Sequence, residues 1–419
     1  MNIIINLAML GGMTKTGICR VVGHLAQGMS QHLGDQVTFH LHDNTHGSIN
    51  YYQQHLQPQG ARLAVGKHIK LLQALSRRLE GFISNTTHNR ARHYRLARRA
   101  SVVLCRVIDG QAAKIPGGFF TTDTIYHSPF HQIPSQIRKR HPEVRRFTTI
   151  YDLIAITHPE YFKKGLINLV KGIINSLDEN DYTLSISAAT RDTLLAHSRC
   201  NPDRAFVIPL AASDHFHPAR DVKANQQILQ QVGIPNTNYI LSLGTLEVRK
   251  NLEIVILAYK QLRDSNALPA GTKLVLVGGN GWKTHKLEQA LKVAADYRSD
   301  IIMPGFVPDE YLAAVYSSAR VFVYMSFLEG FGLPPLEAMQ CGTPVITSNT
   351  SSLPEVVGEA GIMLEPTDIQ GLCSVIEEIF SNDELHASMS AKSLERAKTF
   401  SWQRFVQATV RAYETGLGQ

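Results

Sequence analysis

In the C-terminal half of this chain, short apolar runs end at glycine or serine and alternate with longer stretches of helical periodicity. Tyr239-Ile240-Leu241-Ser242-Leu243 stops at Gly244, Lys273-Leu274-Val275-Leu276-Val277 at Gly278-Gly279, and Arg320-Val321-Phe322-Val323-Tyr324 near Ser326. Pro344-Val345-Ile346-Thr347 and Gly361-Ile362-Met363-Leu364 follow, and helical stretches such as Leu252 to Leu262 and Leu372 to Phe380 separate the runs. Unbroken apolar strands spaced by helices predict a parallel sheet covered on both faces. The N-terminal half opens the same way, with a strand at residues 3–9, a glycine loop and a helical stretch from Ile18 to Leu33. Thr124-Ile125-Tyr126 and Phe147-Thr148-Thr149-Ile150-Tyr151 read as further strands. Between residues 50 and 120 the pattern gives little beyond a basic helix around 88–100.

A chain of 419 residues exceeds what one hydrophobic core usually organises, so two domains are expected. We place them at 1–210 and 211–395, with prolines and small residues from Pro209 to Pro218 marking the join. A tail at 396–419 carries an amphipathic helix from Ser401 to Glu414, with Trp402, Phe405, Val406, Val410 and Tyr413 on one face. Two doubly wound sheets imply a cleft, and ligands in such sheets sit beyond the carboxyl ends of the strands.

Composition excludes several classes. No apolar run approaches the roughly 20 residues of a membrane span, and the opening Met1 to Leu7 reads as a strand rather than a signal peptide. The five cysteines form no C-x-x-C pair, and the eighteen histidines show no H-E-x-x-H spacing. With no Asp-x-Asp either, no metal or other cofactor is expected, and the expected location is the cytoplasm.

The net charge of +7 is unevenly spread. Residues 1–210 hold 25 Lys/Arg against 13 Asp/Glu, and the remainder 17 against 22. The surplus gathers in Arg90, Arg92, Arg95, Arg98 and Arg99, and again in Arg138, Lys139, Arg140, Arg145 and Arg146. Such blocks attract anionic surfaces, or are simply solvated helix faces. They leave open a peripheral seat on the inner face of an anionic membrane.

The strongest chemical signal is Glu329-Gly330-Phe331-Gly332-Leu333-Pro334-Pro335-Leu336-Glu337, which follows a buried strand and opens a helix. The glycines let backbone approach a ligand closely, the prolines suit the first helical positions, and the helix start favours an anion. Glu337 is expected in the first turn, where a carboxylate also caps free amides. A second signal is Gly244-Thr245-Leu246-Glu247-Val248-Arg249-Lys250-Asn251, where a guanidinium and an ammonium after a strand end suit a nucleotide diphosphate. Gly11-Gly12-Met13-Thr14-Lys15-Thr16-Gly17 matches neither the dinucleotide fingerprint nor the P-loop. Gly278-Gly279-Asn280-Gly281-Trp282 reads best as a turn. His127-Ser128-Pro129 and Tyr151-Asp152-Leu153 end N-terminal strands, and His127 earns attention through its expected place at the cleft.

These residues resemble family 4 of the glycosyltransferases, the retaining enzymes with the GT-B fold of two facing Rossmann-like domains, and within it the mannosyltransferase-like branch. The resemblance covers nearly the whole chain and is strongest from 239 to 365. Glu329 and Glu337 match the family's Glu-x7-Glu elbow, and Arg249 and Lys250 its cation pair. Gly17-Ile18-Cys19-Arg20 is similar to its N-terminal Gly-Ile-Gly-Arg loop, with cysteine in place of the second glycine. His127-Ser128-Pro129, His158-Pro159-Glu160-Tyr161-Phe162 and Ser352-Leu353-Pro354-Glu355-Val356 are similar to stretches of the same branch. The resemblance implies an acceptor-binding N-terminal domain, a nucleotide-sugar-binding C-terminal domain and a tail helix that crosses back. It also implies that Glu337 holds ribose, that Arg249 and Lys250 bind the diphosphate, and that Gly305 and Phe306 lie near the base. Glu329, with the amides of Phe331 and Gly332, would face the donor sugar; Gly330, Leu333, Gly17 and Tyr151 complete the donor set, and His127 joins the catalytic one. The family so resembled usually has histidine where this chain has Tyr151.

The activity so implied is transfer of a hexose, mannose first, from a GDP- or UDP-linked sugar to a glycan or lipid-linked glycan, without metal and with retention. A sugar-nucleotide epimerase or phosphorylase could use a similar cleft. A non-catalytic basic protein bound to membrane or nucleic acid would explain the arginine blocks but leave residues 244–251 and 329–337 without purpose. No nucleic-acid partner is therefore expected.

Overall fold

The computed structural model describes residues 1–7, 17–40, 52–56, 62–64, 120–219, 221–279, 281 and 285–418. The loop from Gly11 to Thr16, Asn280, Trp282 and the basic stretch 88–100 with its five arginines lie outside the described residues.

Two parallel sheets organise the molecule. The first joins β1 (Asn2–Asn6), β2 (Val37–His40), β3 (Arg62–Ala64), β4 (Thr124–Ser128), β5 (Arg145–Ile150), β6 (Tyr182–Ser185) and β7 (Ala205–Val207) in the order β3-β2-β1-β4-β5-β6-β7. The second joins β8 (Tyr239–Leu243), β9 (Lys273–Val277), β10 (Ile301–Gly305), β11 (Val321–Tyr324), β12 (Val345–Ser348) and β13 (Ile362–Leu364) in the order β10-β9-β8-β11-β12-β13. All of these pairings are parallel, for example Ile3 beside Ile125 and Leu241 beside Val275. Strands this buried cannot alternate polar and apolar residues; Ile3, Ile4 and Ile5 are all fully buried, and each such side chain contributes about 1.5–3 kcal/mol.

Strand order reverses between β1 and β4 in one sheet and between β8 and β11 in the other. Loops leaving the two strands at such a point diverge to opposite faces and open a crevice, which is where ligands of doubly wound sheets bind. The loops after β8 and β11 are the two sequence motifs, Gly244 to Asn251 and Glu329 to Glu337.

Seven helices matter for the site: α1 (Gly17–Leu33), α2 (Lys164–Ser176), α3 (Ala188–His197), α4 (Leu252–Asp264), α5 (Leu333–Gln340), α6 (Leu353–Val357) and α7 (Trp402–Leu417). Helix α7 begins with Ser401 Oγ accepting from the Arg404 amide, a capping bond of 3.2 Å. It follows the second sheet in sequence yet packs on the first. Val406 lies against Gly28 of α1, where a Cβ would come within 2.4 Å of Val406 Cγ2. At its far end the Gly416 carbonyl accepts from Arg145 Nε at 3.1 Å and from the Tyr182 hydroxyl at 3.3 Å.

Candidate active site

The site forms because glycine lets three strand ends crowd together. Gly244, Gly278 and Gly305 follow or end β8, β9 and β10, with φ of 152°, 151° and 81°. A Cβ on Gly278 would sit 1.9 Å from the Gly244 carbonyl oxygen, so no other residue fits there. After Gly244 the chain makes one short turn, Val248–Lys250, and enters α4 through Asn251 at φ 54°. Asn251 Nδ2 donates to the carbonyls of Met325 and Pro366 at 3.0 and 2.6 Å, which ties this loop to the one after β11.

That tie brings the cation pair onto Glu329. Lys250 Nζ lies 2.7 Å from Glu329 Oε1 and donates to the Tyr324 hydroxyl at 2.6 Å, while Tyr324 donates to Glu329 Oε1 at 2.9 Å. Arg249 donates to Glu329 Oε2 at 2.9 Å, to the Leu328 carbonyl at 2.7 Å and to Glu247 Oε1 at 2.6 Å. Burial opposes ionisation of Glu329, but Lys250 and Arg249 outweigh it and hold the carboxyl at about 2. Burial likewise lowers the pKa of Lys250, against the pull of Glu329. Burial works against the charge of Arg249 too, yet Glu329 and Glu247 raise it on balance. Two cations and two carboxylates thus stand together at the crevice, each oriented by hydrogen bonds to its neighbours.

The elbow after Glu329 is pinned by hydroxyls. Ser351 Oγ accepts from the Glu329 amide at 2.9 Å, and Ser352 Oγ donates to the carbonyls of Glu329 and Phe331 at 3.0 and 2.8 Å. Gly332 turns the chain into α5 at φ 116°, with proline in the first helical positions and Leu333 as the first helical residue. Phe331 is buried, its ring edge-on to Phe400. Glu337 falls in the second turn of α5 and caps none of its amides, contrary to the sequence expectation. Its Oε2 accepts from the Tyr316 hydroxyl at 3.0 Å and its Oε1 lies 3.9 Å from Arg20 of α1. Arg20 is also 3.4 Å from Asp309. Burial pushes the Glu337 carboxyl up to about 7, with Arg20 and Tyr316 opposing.

A second set of contacts fastens the two halves at this elbow. The Gly330 carbonyl accepts from Ser187 Oγ at 2.7 Å and from Thr190 Oγ1 at 3.2 Å, at the start of α3. A Cβ on Gly330 would meet the Tyr151 carbonyl oxygen at 2.4 Å, so glycine is required by the contact itself. Glu355 of α6 accepts from the amides of Ala188 and Ala189 at 2.6 and 2.7 Å. These amides are orphans of a helix start, satisfied here by a carboxylate from the other half of the chain.

The remaining sequence candidates divide. Gly17 opens α1, where a Cβ would meet nothing among the described residues, and Phe306, beside Gly305, is 76% exposed, free to meet a planar ligand. Tyr151 adjoins the elbow through its backbone; its hydroxyl is buried and finds no hydrogen-bond partner among the described residues. It lines a small apolar cavity with Phe130, Asp152, Phe162 and Ile173. His127 does not face the crevice as expected. It is buried within β4, with Nε2 2.8 Å from Thr149 Oγ1 and Nδ1 2.6 Å from the Tyr413 hydroxyl of α7. Burial drops its pKa to about 3, so it is a neutral bridge between sheet and tail. Nor is the second basic block a free charge patch. Asp181 lies 2.7 Å from Arg138 and 2.6 Å from Arg146, leaving Lys139 and Arg140 as its freely exposed members beside Arg145, which bonds backbone carbonyls. Tyr324, Tyr316 and the pairing of Glu355 with the start of α3 were missed by sequence reasoning, although the family resemblance includes the stretch Ser352 to Val356. The one signal available for Tyr324 was its place at the end of an apolar strand. Among the described residues, no group of His, Cys, Asp and Glu is placed to hold a metal ion.

Two facing Rossmann-like domains with a cation–carboxylate cluster at the switch point define a glycosyltransferase of the GT-B architecture. Residues 224–396 match the family described as glycosyl transferases group 1. The O-antigen chain mannosyltransferase B of Escherichia coli is 35% identical over 297 residues, covering 70% of this chain and 74% of that protein. The serotype-specific mannosyltransferase WbdA of Escherichia coli is 32% identical over 273 residues, 63% of this chain but 32% of that longer protein. Among solved structures, that of Anabaena HepE in complex with UDP and glucose superposes with a TM-score of 0.62 at 14% identity, covering 99% of this chain and 100% of that one. The chain belongs to the group 1 glycosyl transferases and is a hexosyltransferase.

Proposed function

We propose that this enzyme moves mannose from a nucleotide-diphosphate sugar, GDP-linked in the first instance, to a growing glycan, with retention and without a metal ion. The observation that carries this reading is the Arg249–Lys250–Glu329 cluster at the switch point of the second sheet. A crevice whose cations are paired with its own carboxylates must trade part of that pairing for the donor's diphosphate, so the cations meet charge that grows as the bond to the sugar breaks. The leaving diphosphate then takes the acceptor's proton, which agrees with a cluster whose Glu329 is held ionised, and so weakly basic, by both cations. Glu337, facing Arg20 across the crevice, suits ribose hydroxyls, and exposed Phe306 suits the base. The choice of mannose and of a polysaccharide acceptor is supported by the similarity to the O-antigen chain mannosyltransferase.

Lys139 and Arg140 support a peripheral seat on an anionic membrane carrying a lipid-linked acceptor, since each basic residue near such a surface adds about 1 kcal/mol. Among the described residues no helix is long and apolar enough to cross a membrane.

The test is incubation of the protein with labelled GDP-mannose, UDP-glucose and UDP-N-acetylglucosamine, each with a short mannoside acceptor, with and without EDTA. Transfer from GDP-mannose that survives the chelator, with the anomeric configuration retained by NMR, is the expected result. Transfer only from a UDP-sugar, or an inverted product, overturns the corresponding part.

A further inference from the structure

Helices α1 and α7 enclose a groove of about 440 Å³ outside the crevice, within the range of small-ligand sites. Gly28 lets the two helices approach at one point, and the groove opens beside it. His24, Gln27 and Gln31 of α1 lie three and four residues apart, on one face of the helix. Gln403 and Gln407 of α7 face them, again four residues apart. Trp402 stacks on His24 at 4.1 Å between ring centroids, with 8° between planes, and makes one wall.

Among the described residues no Lys, Arg, Asp or Glu lines the groove, while Asp214 and Arg20 are the charges that act on His24. Each of the four glutamines offers one acceptor and two donors, and none of these amides is bonded to another described residue. Trp402 Nε1 is buried and without a hydrogen-bond partner among the described residues. Burial lowers the pKa of His24, which favours its neutral form. An anion would find no lysine or arginine among the lining residues, and an apolar chain would strip the amides of water without replacing it. Hydroxyls that donate and accept at once answer such a lining.

We infer that the α1–α7 groove is a second carbohydrate site, which holds a neutral stretch of the acceptor glycan behind its reacting end. The groove begins one helical turn after Arg20, which reaches Glu337 in the crevice, and from His24 to His32 it follows α1 for about 12 Å. It is a track leading away from the reacting centre, of use to an enzyme whose acceptor is a polymer. The inference rests on the glycan-acceptor reading above, and the test separates the two.

Binding of α-mannotetraose to the full chain is measured by calorimetry for the wild type and for the Gln403→Ala/Gln407→Ala variant, both sites lying on a helix that alanine favours. Transfer kinetics are then compared on methyl mannoside and on mannotetraose. The expected result is a loss of roughly 5-fold or more in tetraose affinity and in kcat/KM on the long acceptor, with methyl mannoside kinetics unchanged. Unchanged tetraose affinity in the variant, or equal loss on both acceptors, overturns the groove. A sulfated oligosaccharide that binds the groove as tightly as the neutral one overturns its assignment to neutral glycans. If no acceptor is mannosylated at all, the functional reading fails, while the calorimetric comparison still decides on the groove.

Discussion

The carboxylate of Glu355 stands 2.6 Å from the amide nitrogen of Ala188, across the junction between the two halves of the molecule. Its other oxygen takes the amide of Ala189, so one side chain from the second domain caps a helix of the first. The same helix start, through Ser187 and Thr190, holds the Gly330 carbonyl next to Glu329. Closure of the crevice and the shape of the elbow are therefore coupled in one hydrogen-bonded patch.

Glu355→Ala should accordingly loosen both. Two amides lose a charged acceptor, a cost of about 1–3 kcal/mol if they stay buried, and Gly330 loses part of its anchor. The expected outcome is a lower melting temperature, a larger radius of gyration by small-angle scattering and a reduced kcat/KM, with Glu355→Gln intermediate because one acceptor oxygen remains. An alanine variant that matches the wild type in all three measurements removes the latch.

The charge cluster makes a different prediction. Arg249→Ala and Lys250→Ala should each lower turnover by on the order of 10²-fold, because both cations act where charge develops. Glu329→Gln leaves Lys250 without a carboxylate partner and Arg249 with Glu247 alone, at a cost below that of breaking a fully buried pair, which is about 3–5 kcal/mol. Bound GDP should then stabilise Glu329→Gln more than the wild type, since its phosphates restore the missing charge. Equal thermal shifts in the two proteins would falsify that account of the balance.

How far this architecture was legible depended on where polar atoms fell. Runs such as Tyr239 to Leu243 and Lys273 to Val277 read correctly to the residue, because continuous burial leaves an uninterrupted apolar signature. Strand β6 was hidden, for Thr183 and Ser185 are fully buried hydroxyls in a run that looks like a turn. Strand β10 was hidden by Pro304, which is tolerated because β10 lies at the sheet edge. Glu329, Arg249 and Lys250 were legible as strand-end charges. Tyr324 was not, since an aromatic residue closing an apolar run looks like core. Glu355 and Ala188 are joined only by the fold, and no local pattern links positions so far apart. His127 shows the opposite failure, a strand-end histidine whose side chain turned out to serve packing.

Glu337 should give the protein a pH dependence around neutrality. Its folded value of about 7 lies above the ordinary 4.5, so the folded state binds the proton more tightly. The associated stability is fully present below about pH 4.5 and is lost as pH rises through 7, on the order of 3 kcal/mol in all. Glu337→Gln cannot titrate and should flatten this part of the profile. If the ionised carboxylate accepts from ribose, nucleotide affinity should rise between pH 6 and 8 in the wild type and stay level in the variant. Melting curves and nucleotide titrations across that range check both halves; parallel profiles for the two proteins would remove Glu337 as the titrating group.

Tyr151 is a case where removing a polar atom should help the fold and harm only a functional contact. Its hydroxyl is buried without a partner among the described residues, in a cavity otherwise lined mostly by apolar side chains of α2 and the sheet. Burial raises its pKa well above the ordinary phenol value, so it stays a neutral donor at any working pH. An unsatisfied buried hydroxyl costs about 1–3 kcal/mol, and Tyr151→Phe should recover part of it as a higher melting temperature. Its ring, tilted against Phe130 at 6.1 Å, keeps that packing in the phenylalanine variant. If the hydroxyl is kept for a substrate, the stabilised variant should lose kcat/KM by about 2- to 10-fold, the value of one hydrogen bond. Tyr151→Ala should lower both stability and activity by opening a cavity beside the elbow. A phenylalanine variant that is more stable and fully active would assign Tyr151 to packing alone, while one that is less stable would show that the hydroxyl has a partner in the folded protein.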